Sequence, residues 1–243
     1  MYKEKKVSVV MPAYNEEEYM AIAIRDFGSI PEVDEIIVVN NNSTDNTKEL
    51  ALEAGAIVVD EPKQGYGYAC QRALGEASGD LIILVEPDGT FSAHDIEKFL
   101  AYSNDFDFVI GTRTSKEMIH EGANMGKFLK WGNWALAKMI EVLFNGPSLT
   151  DVGCTYRLIK RDALEKIKNK FSVGGSHFSP EMMVLAIKSG IPMIEIPVSY
   201  KARKGSSKIT GKKWSAFKLG LRMIKLILSY KFWGDKRRCG VHP

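Results

Sequence analysis

Short apolar runs alternate along the chain with segments of helical period. Val7–Met11 is an apolar run closed by Pro12, the pattern of a parallel strand buried on both faces. Glu16–Phe27 then fits a helix. Glu35–Val39 is a second run, ended by Asn40, Asn41 and Asn42. Ser43 and Asp45 are good helix caps, and the spacing predicts a helix through Ala54 with Gly55 just past its end. Ala56–Val59 reads as a third strand, Tyr68–Ala77 as a helix after Gly65 and Gly67, and Leu81–Val85 as a fourth strand. Asp95–Tyr102 lies in a helix and Phe106–Ile110 is a fifth strand. Repeated strand–helix units predict an α/β fold, with a Rossmann-like, mostly parallel sheet flanked by helices.

In such a sheet, functional groups gather beyond the carboxyl ends of the strands. Pro12, Tyr14, Asn15 and Glu16 follow the first strand and the Asn triplet follows the second. Glu86-Pro87-Asp88 follows the fourth, and Gly111, Thr112 and Arg113 follow the fifth. Each tip alone is ordinary turn chemistry. Together they predict one nucleotide-sized cleft on one sheet edge.

The 243 residues, 45% hydrophobic and 26% charged, exclude a disordered chain and suffice for one large domain or two small ones. The net charge of +3 conceals an asymmetry: residues 201–243 hold thirteen Lys and Arg against one acid, Asp235. A basic, apolar end on an acidic body is expected to meet something anionic. Cys70, Cys154 and Cys239 share no metal-type spacing and suggest a reducing compartment, and the four histidines show no zinc pattern. No His lies near Cys154, which argues against a thiol nucleophile. Gly65-x-Gly67 is not a dinucleotide fingerprint and no Walker lysine motif occurs, so NAD and P-loop chemistry are not expected. No run of eighteen uncharged apolar residues predicts a spanning helix.

Seven segments in order, PAYNE (12–16), VVNNNSTDNT (38–47), KQGYGYA (63–69), GD (79–80), EPDG (86–89), GTR (111–113) and DVGCTYR (151–157), resemble those of family 2 glycosyltransferases of GT-A fold. The resemblance covers roughly residues 6–210 and is greatest to the dolichol-phosphate mannose and glucose synthases, a subgroup also suggested by PVSYKARKGSSK (197–208). It implies that Pro12, Tyr14, Asn15, Glu16, Asn40, Asn41 and Gly65 bind the nucleotide-sugar donor. Glu86 and Asp88 match the family's D-x-D and would hold Mg²⁺ or Mn²⁺; two carboxylates one residue apart can both reach one hard cation. Arg113 and Lys127 would meet an acceptor phosphate, and Arg203 and Lys208 the donor diphosphate or the acceptor. Asp88, Asp151 and Arg113 are the catalytic candidates. Two departures stand out: Glu86 replaces the usual Asp, and Asn40 and Asn41 replace a usual pair of acids.

The implied activity is inverting transfer of a hexose from a nucleotide sugar to a polyprenyl (dolichyl) phosphate. The alternatives are a soluble glycosyltransferase with a diffusible or protein-bound acceptor, and a nucleotide- or nucleic-acid-binding module. The acidic main body argues against nucleic acid as a partner. Residues 1–212 are expected to form the transferase domain and 213–243 a basic amphipathic helix and tail. Within Phe217–Trp233, Lys218, Arg222, Lys225 and Ser229 make one polar stripe, apolar residues between them form a broad apolar face, and Trp214 and Trp233 bracket the segment. That pattern predicts a helix lying on a membrane surface, with the protein peripheral on its cytoplasmic face. Packing on the sheet or at a homo-oligomer contact is the competing reading.

Overall fold

The computed structural model describes residues 1–120, 123, 126–202 and 213–233, with residues 127, 128 and 213 described by their backbone. Seven strands form one sheet: β1 (Val7–Ala13), β2 (Glu35–Asn40), β3 (Ile57–Asp60), β4 (Leu81–Leu84), β5 (Phe108–Thr112), β6 (Arg157–Lys160) and β7 (Met193–Pro197). Their order is β3-β2-β1-β4-β6-β5-β7. All are parallel except β6, which runs antiparallel to both β4 and β5. The helices are α1 (Met20–Gly28), α2 (Thr47–Glu53), α3 (Tyr66–Glu76), α4 (Ile96–Tyr102), α5 (Lys127–Phe144), α6 (Arg161–Ile167), α7 (Phe178–Lys188) and α8 (Lys213–Phe232). The expected fold class is therefore present.

Every residue of β1 and β4 is buried, because each face of the sheet carries its own core. Ile82 and Leu84 point into one core with α3, α5, α7 and α8; Leu81 and Ile83 point into the other with α1 and α4. Strand β1 extends past the expected stop and includes Pro12. The Val10 carbonyl accepts from Val85 on the β4 side. Two residues on, the Pro12 nitrogen faces the same side beyond the last pair, Val10–Leu84, where no ladder bond is lost. Helix α1 begins four residues later than expected, since Asn15 takes a left-handed φ of 55° and Glu16–Tyr19 form a turn. Gly55 at φ 88° ends α2 in the left-handed conformation expected of it.

Strand β6 decides the site. Entering between β4 and β5 from the opposite direction, it places its amino-terminal end beside their carboxyl ends. The 151–156 loop is thereby set between the Asp88 and Arg113 loops.

Helix α8 buries Met223 and Ile227 in the same core as α5 and α7, and Leu219, Leu226 and Tyr230 pack around them. Part of the face expected to meet lipid is thus used by the protein, in line with the packing alternative. Among the described residues no helix is long and apolar enough to cross a membrane.

Candidate active site

The four loop tips lie together on the carboxyl edge of the sheet. The first two are stitched to each other: Asn15 N–H donates to Ser43 Oγ (3.1 Å), Thr44 N–H donates to Asn15 Oδ1 (2.8 Å), and Glu16 N–H donates to Thr47 Oγ1 (2.8 Å). Tyr14 is left 39% exposed at the mouth, beside the buried Pro12. A planar ring displayed on a stitched loop suits stacking on a nucleobase.

Both asparagines expected to meet base and ribose are engaged with the protein. Asn40 donates to Asp60 Oδ1 (2.8 Å) and accepts from Ser43 N–H (3.1 Å). Asn41 donates to the carbonyls of Glu61 (2.9 Å) and Lys63 (2.8 Å) and accepts from Gly65 N–H (2.8 Å) and Gln64 Nε2 (3.2 Å). Two donors and two acceptor positions fill the whole capacity of the Asn41 amide, so it clamps the 61–65 loop. The negative charge absent at position 40 sits one strand over. Asp60 closes β3, where Asn40 and Lys48 (2.6 Å) hold it.

Gly65 and Gly67 serve a close backbone approach. A Cβ at Gly65 would stand 2.3 Å from the Gly174 carbonyl, and one at Gly67 2.1 Å from that of Val173. The Gly174 carbonyl accepts the N–H groups of Gly67 and Tyr68, which opens α3 against the 172–175 loop. Glu181, fully buried, fixes that loop by accepting from Ser172 and Val173, and it binds Tyr230 of α8 (2.8 Å).

Asp88 is 2% exposed at the end of β4, and its Oδ1 accepts from Thr90 N–H (3.0 Å) and Thr90 Oγ1 (2.6 Å). Glu86 is half-buried in the same turn. Among the described residues no group of three or more His, Cys, Asp or Glu is arranged to hold a metal ion. Two oxygen-donor carboxylates without a third ligand fit a hard cation that completes its shell with water and diphosphate, and do not fit zinc.

Arg113 and Asp151 form a two-pronged ion pair in the cleft. Arg113 Nε donates to Oδ2 (2.8 Å) and Nη2 to Oδ1 (2.9 Å), while the Arg113 and Gly153 N–H groups bond the same carboxylate (3.1 and 3.0 Å). Asp151 is 0% exposed and Arg113 14%. Burial alone would raise the Asp151 carboxyl, but the guanidinium and the N–H groups of Arg113 and Gly153 together outweigh it and hold the carboxyl below its usual range. Behind this pair, Glu195 accepts from the N–H groups of Thr150 (2.7 Å) and Asp151 (2.9 Å). Burial pushes its carboxyl up, with the Asp151 charge adding to the rise. Arg157, also buried, donates to the carbonyls of Val152, Cys154 and Ser179 and so shapes the loop carrying Asp151. Cys154 is buried, and burial pushes its thiol up to about 12, consistent with an inert side chain.

Tyr200 is the site residue that the sequence reading passed over. The Arg113 guanidinium lies 5.3 Å from its ring centroid. Its backbone bridges Phe91, in the segment after Asp88, and Ile119, beyond Arg113. Burial pushes its phenol up. The available signal was its place in Pro197-x-x-Tyr200-x-x-Arg203, read only for the cations. Lys127 opens α5, but its side chain, like all of Arg203 and Lys208, lies outside the described residues.

Residues 8–168 match the model of glycosyl transferase family 2. The chain belongs to that family. The similar proteins include the low-salt glycan biosynthesis hexosyltransferase Agl6 of Haloferax volcanii, 32% identical over 91% of this chain; the chain spans 53% of that relative's length. A dolichyl-phosphate hexose transferase of the same organism is 29% identical, with 86% of this chain and 88% of the relative covered. Among solved structures, glucosyl-3-phosphoglycerate synthase from Mycobacterium tuberculosis, crystallised with Mn²⁺, UDP and phosphoglyceric acid, superposes with a TM-score of 0.75. At 17% identity, covering 94% of this chain and 79% of that one, it shows a shared GT-A-like fold.

Proposed function

We propose that this glycosyltransferase moves a hexose, with inversion, from a nucleotide sugar to the phosphate of a polyprenyl (dolichyl) phosphate at a membrane surface. The observation that carries the acceptor class is the Arg113–Asp151 pair. An inverting transfer to a hydroxyl needs a base to take its proton. Asp151 is a poor base: it is buried, accepts four hydrogen bonds and is held below its usual carboxyl range. A phosphate monoester arrives with an anionic oxygen and needs only positioning cations. In this reading Asp151 is a positioning residue that aims Arg113. The relative named as a dolichyl-phosphate hexose transferase supports the same acceptor class.

Donor binding falls to Tyr14 over the base, with the Asn15 and Asn41 clamps keeping the first two loops in place. Glu86 and Asp88 would hold Mg²⁺ or Mn²⁺, which when bound supplies counter-charge for the leaving nucleoside diphosphate. The fold neighbour crystallised with Mn²⁺ and UDP supports that assignment. Thr90 orients Asp88, and Tyr200 joins the Asp88 and Arg113 loops so that donor and acceptor phosphates face one another. Incubating a panel of nucleotide sugars with polyprenyl phosphate, with and without Mn²⁺, tests the reading. A charged glycolipid is expected from one donor; transfer to phosphoglyceric acid in place of lipid would replace it with a soluble acceptor.

A further inference from the structure

Helices α5 and α8 pack on each other and on one core, yet both present apolar residues on the side facing away from it. On α5, Leu136, Ala137 and Ile140 are buried, while Trp131 is 66%, Trp134 41% and Val142 77% exposed. Trp131, Trp134, Ala135, Lys138 and Val142 recur at helical spacing and form one outward stripe. On α8, Trp214, Phe217, Leu221 and Phe232 form an outward line, flanked by the exposed Lys218, Arg222 and Lys225. The aromatic residues are paired: Trp131 and Trp134 edge to face at 5.6 Å, Trp214 stacked on Phe217 at 5.8 Å, with Lys218 Nζ over Trp214 at 5.4 Å.

The net charge on this surface is positive. Residues 213–233 contain no acid. The single acid of α5, Glu141, is bonded to Lys138 (2.6 Å) and to Leu149 N–H. A second copy of the chain is a poor occupant, because a two-fold contact would set Lys218, Arg222 and Lys225 against themselves with no acid to pair them. A nucleic acid would answer the cations and leave Val142, Leu221 and the tryptophans in water. An anionic bilayer surface answers both, taking the rings at headgroup depth and the cations at its phosphates.

We propose that the outward stripes of α5 and α8 together form the membrane-docking surface, with Trp131 and Trp134 as its anchor nearest the active site. The proposal deepens the lipid-phosphate reading and rests on it for the acceptor. The same end of α5 touches the catalytic loops: Lys130 Nζ donates to the Thr114 carbonyl (3.0 Å), and the Asn133 amide lies against Gly153, where a Cβ would meet it at 2.9 Å. A lipid phosphate at headgroup depth beside Trp131 is therefore next to Arg113. Helix α8 acts through its outward line, its inward face being occupied by the core.

Vesicle co-sedimentation of the full chain, without donor, tests this, with brominated lipids reporting tryptophan insertion. Binding is expected to phosphatidylcholine–phosphatidylglycerol vesicles, with fluorescence quenching and weaker binding at high salt. The pair Trp131→Ser and Trp134→Ser should weaken affinity at least about tenfold and remove most of the quenching. Its fold by circular dichroism should be unchanged, since neither side chain belongs to either core. Lys218→Glu with Lys225→Glu should abolish the preference for anionic over neutral vesicles. Equal vesicle affinity of the tryptophan variant and the parent would overturn the proposal. So would RNA binding without vesicle binding, or a dimer that the tryptophan variant dissociates while vesicle affinity stays the same. Vesicle binding without any transfer to polyprenyl phosphate would sink the functional reading and leave the docking surface standing.

Discussion

Asp151→Asn removes the charge that Arg113 is built around while keeping the side chain's shape. It leaves a guanidinium, 14% exposed, with no buried counter-charge. Breaking one partner of a buried ion pair costs about 3–5 kcal/mol, and in a domain of this size each kcal/mol moves the midpoint by about 2–4 °C. The melting temperature should therefore fall by roughly 6–20 °C. Kinetics separate the roles. If Asp151 aims Arg113 at an acceptor phosphate, Asp151→Asn should raise the acceptor KM several-fold and the donor KM little. Arg113→Ala should do the same more strongly, and Arg113→Lys should recover only part, because one ammonium cannot reproduce the fork. Replacing both partners by Met and Leu should regain most of the stability and none of the acceptor affinity. The pair also sets a pH limit. The Asp151 carboxyl is lowered in the fold, so its contribution is complete above the unfolded value of 3.8 and is lost as pH falls below it. An Asp151→Asn protein as stable as the parent, with unchanged acceptor KM and a kcat lower by orders of magnitude, would refute this reasoning and make Asp151 a base.

Asp88→Asn should reduce turnover at least about hundredfold at saturating Mn²⁺, with an unchanged fold by circular dichroism; full activity in excess chelator would remove the metal role. Gly67→Ala should destabilise by about 1–3 kcal/mol or more in urea titration, because its Cβ would meet the Val173 carbonyl at 2.1 Å; a neutral result would show that the 172–175 loop yields freely. Glu35 links β2 to Lys6, Ser8 and Ser78. Burial alone would raise its carboxyl, but those hydrogen bonds outweigh it and lower it to about 2. Its stabilisation is therefore present above the unfolded value of 4.5 and lost as pH falls from there toward 2. Glu35→Gln should flatten the unfolding curve across that window, and an unchanged acid limb would place the loss elsewhere.

The buried parallel strands were legible because an unbroken apolar run admits few other readings: β1, β2 and β4 fall where Val7–Met11, Glu35–Val39 and Leu81–Val85 placed them. Strand β6 was not, since four residues, Arg157–Lys160, carry no period that separates a strand from a loop. Its insertion between β4 and β5 is the step that places Asp151 beside Arg113, 38 residues away in sequence. Side-chain identity likewise suggested a role for Asn41 without revealing where its four hydrogen bonds go. Helix α8 shows the limit of periodicity. The stripe of Lys218, Arg222 and Lys225 was visible, but apolar residues surround it on both sides, and only packing on α5 and α7 shows that Met223 and Ile227 face inward.

The central claim is that the acceptor nucleophile is a phosphate oxygen. It is tested most directly by offering the enzyme, with its donor and Mn²⁺, a polyprenyl phosphate and the matching dephosphorylated polyprenol side by side. Transfer to the phosphate alone, at a rate insensitive to whether position 151 can take up a proton once the acceptor is saturating, is the predicted result. Transfer to the free alcohol, abolished by Asp151→Asn, would contradict it.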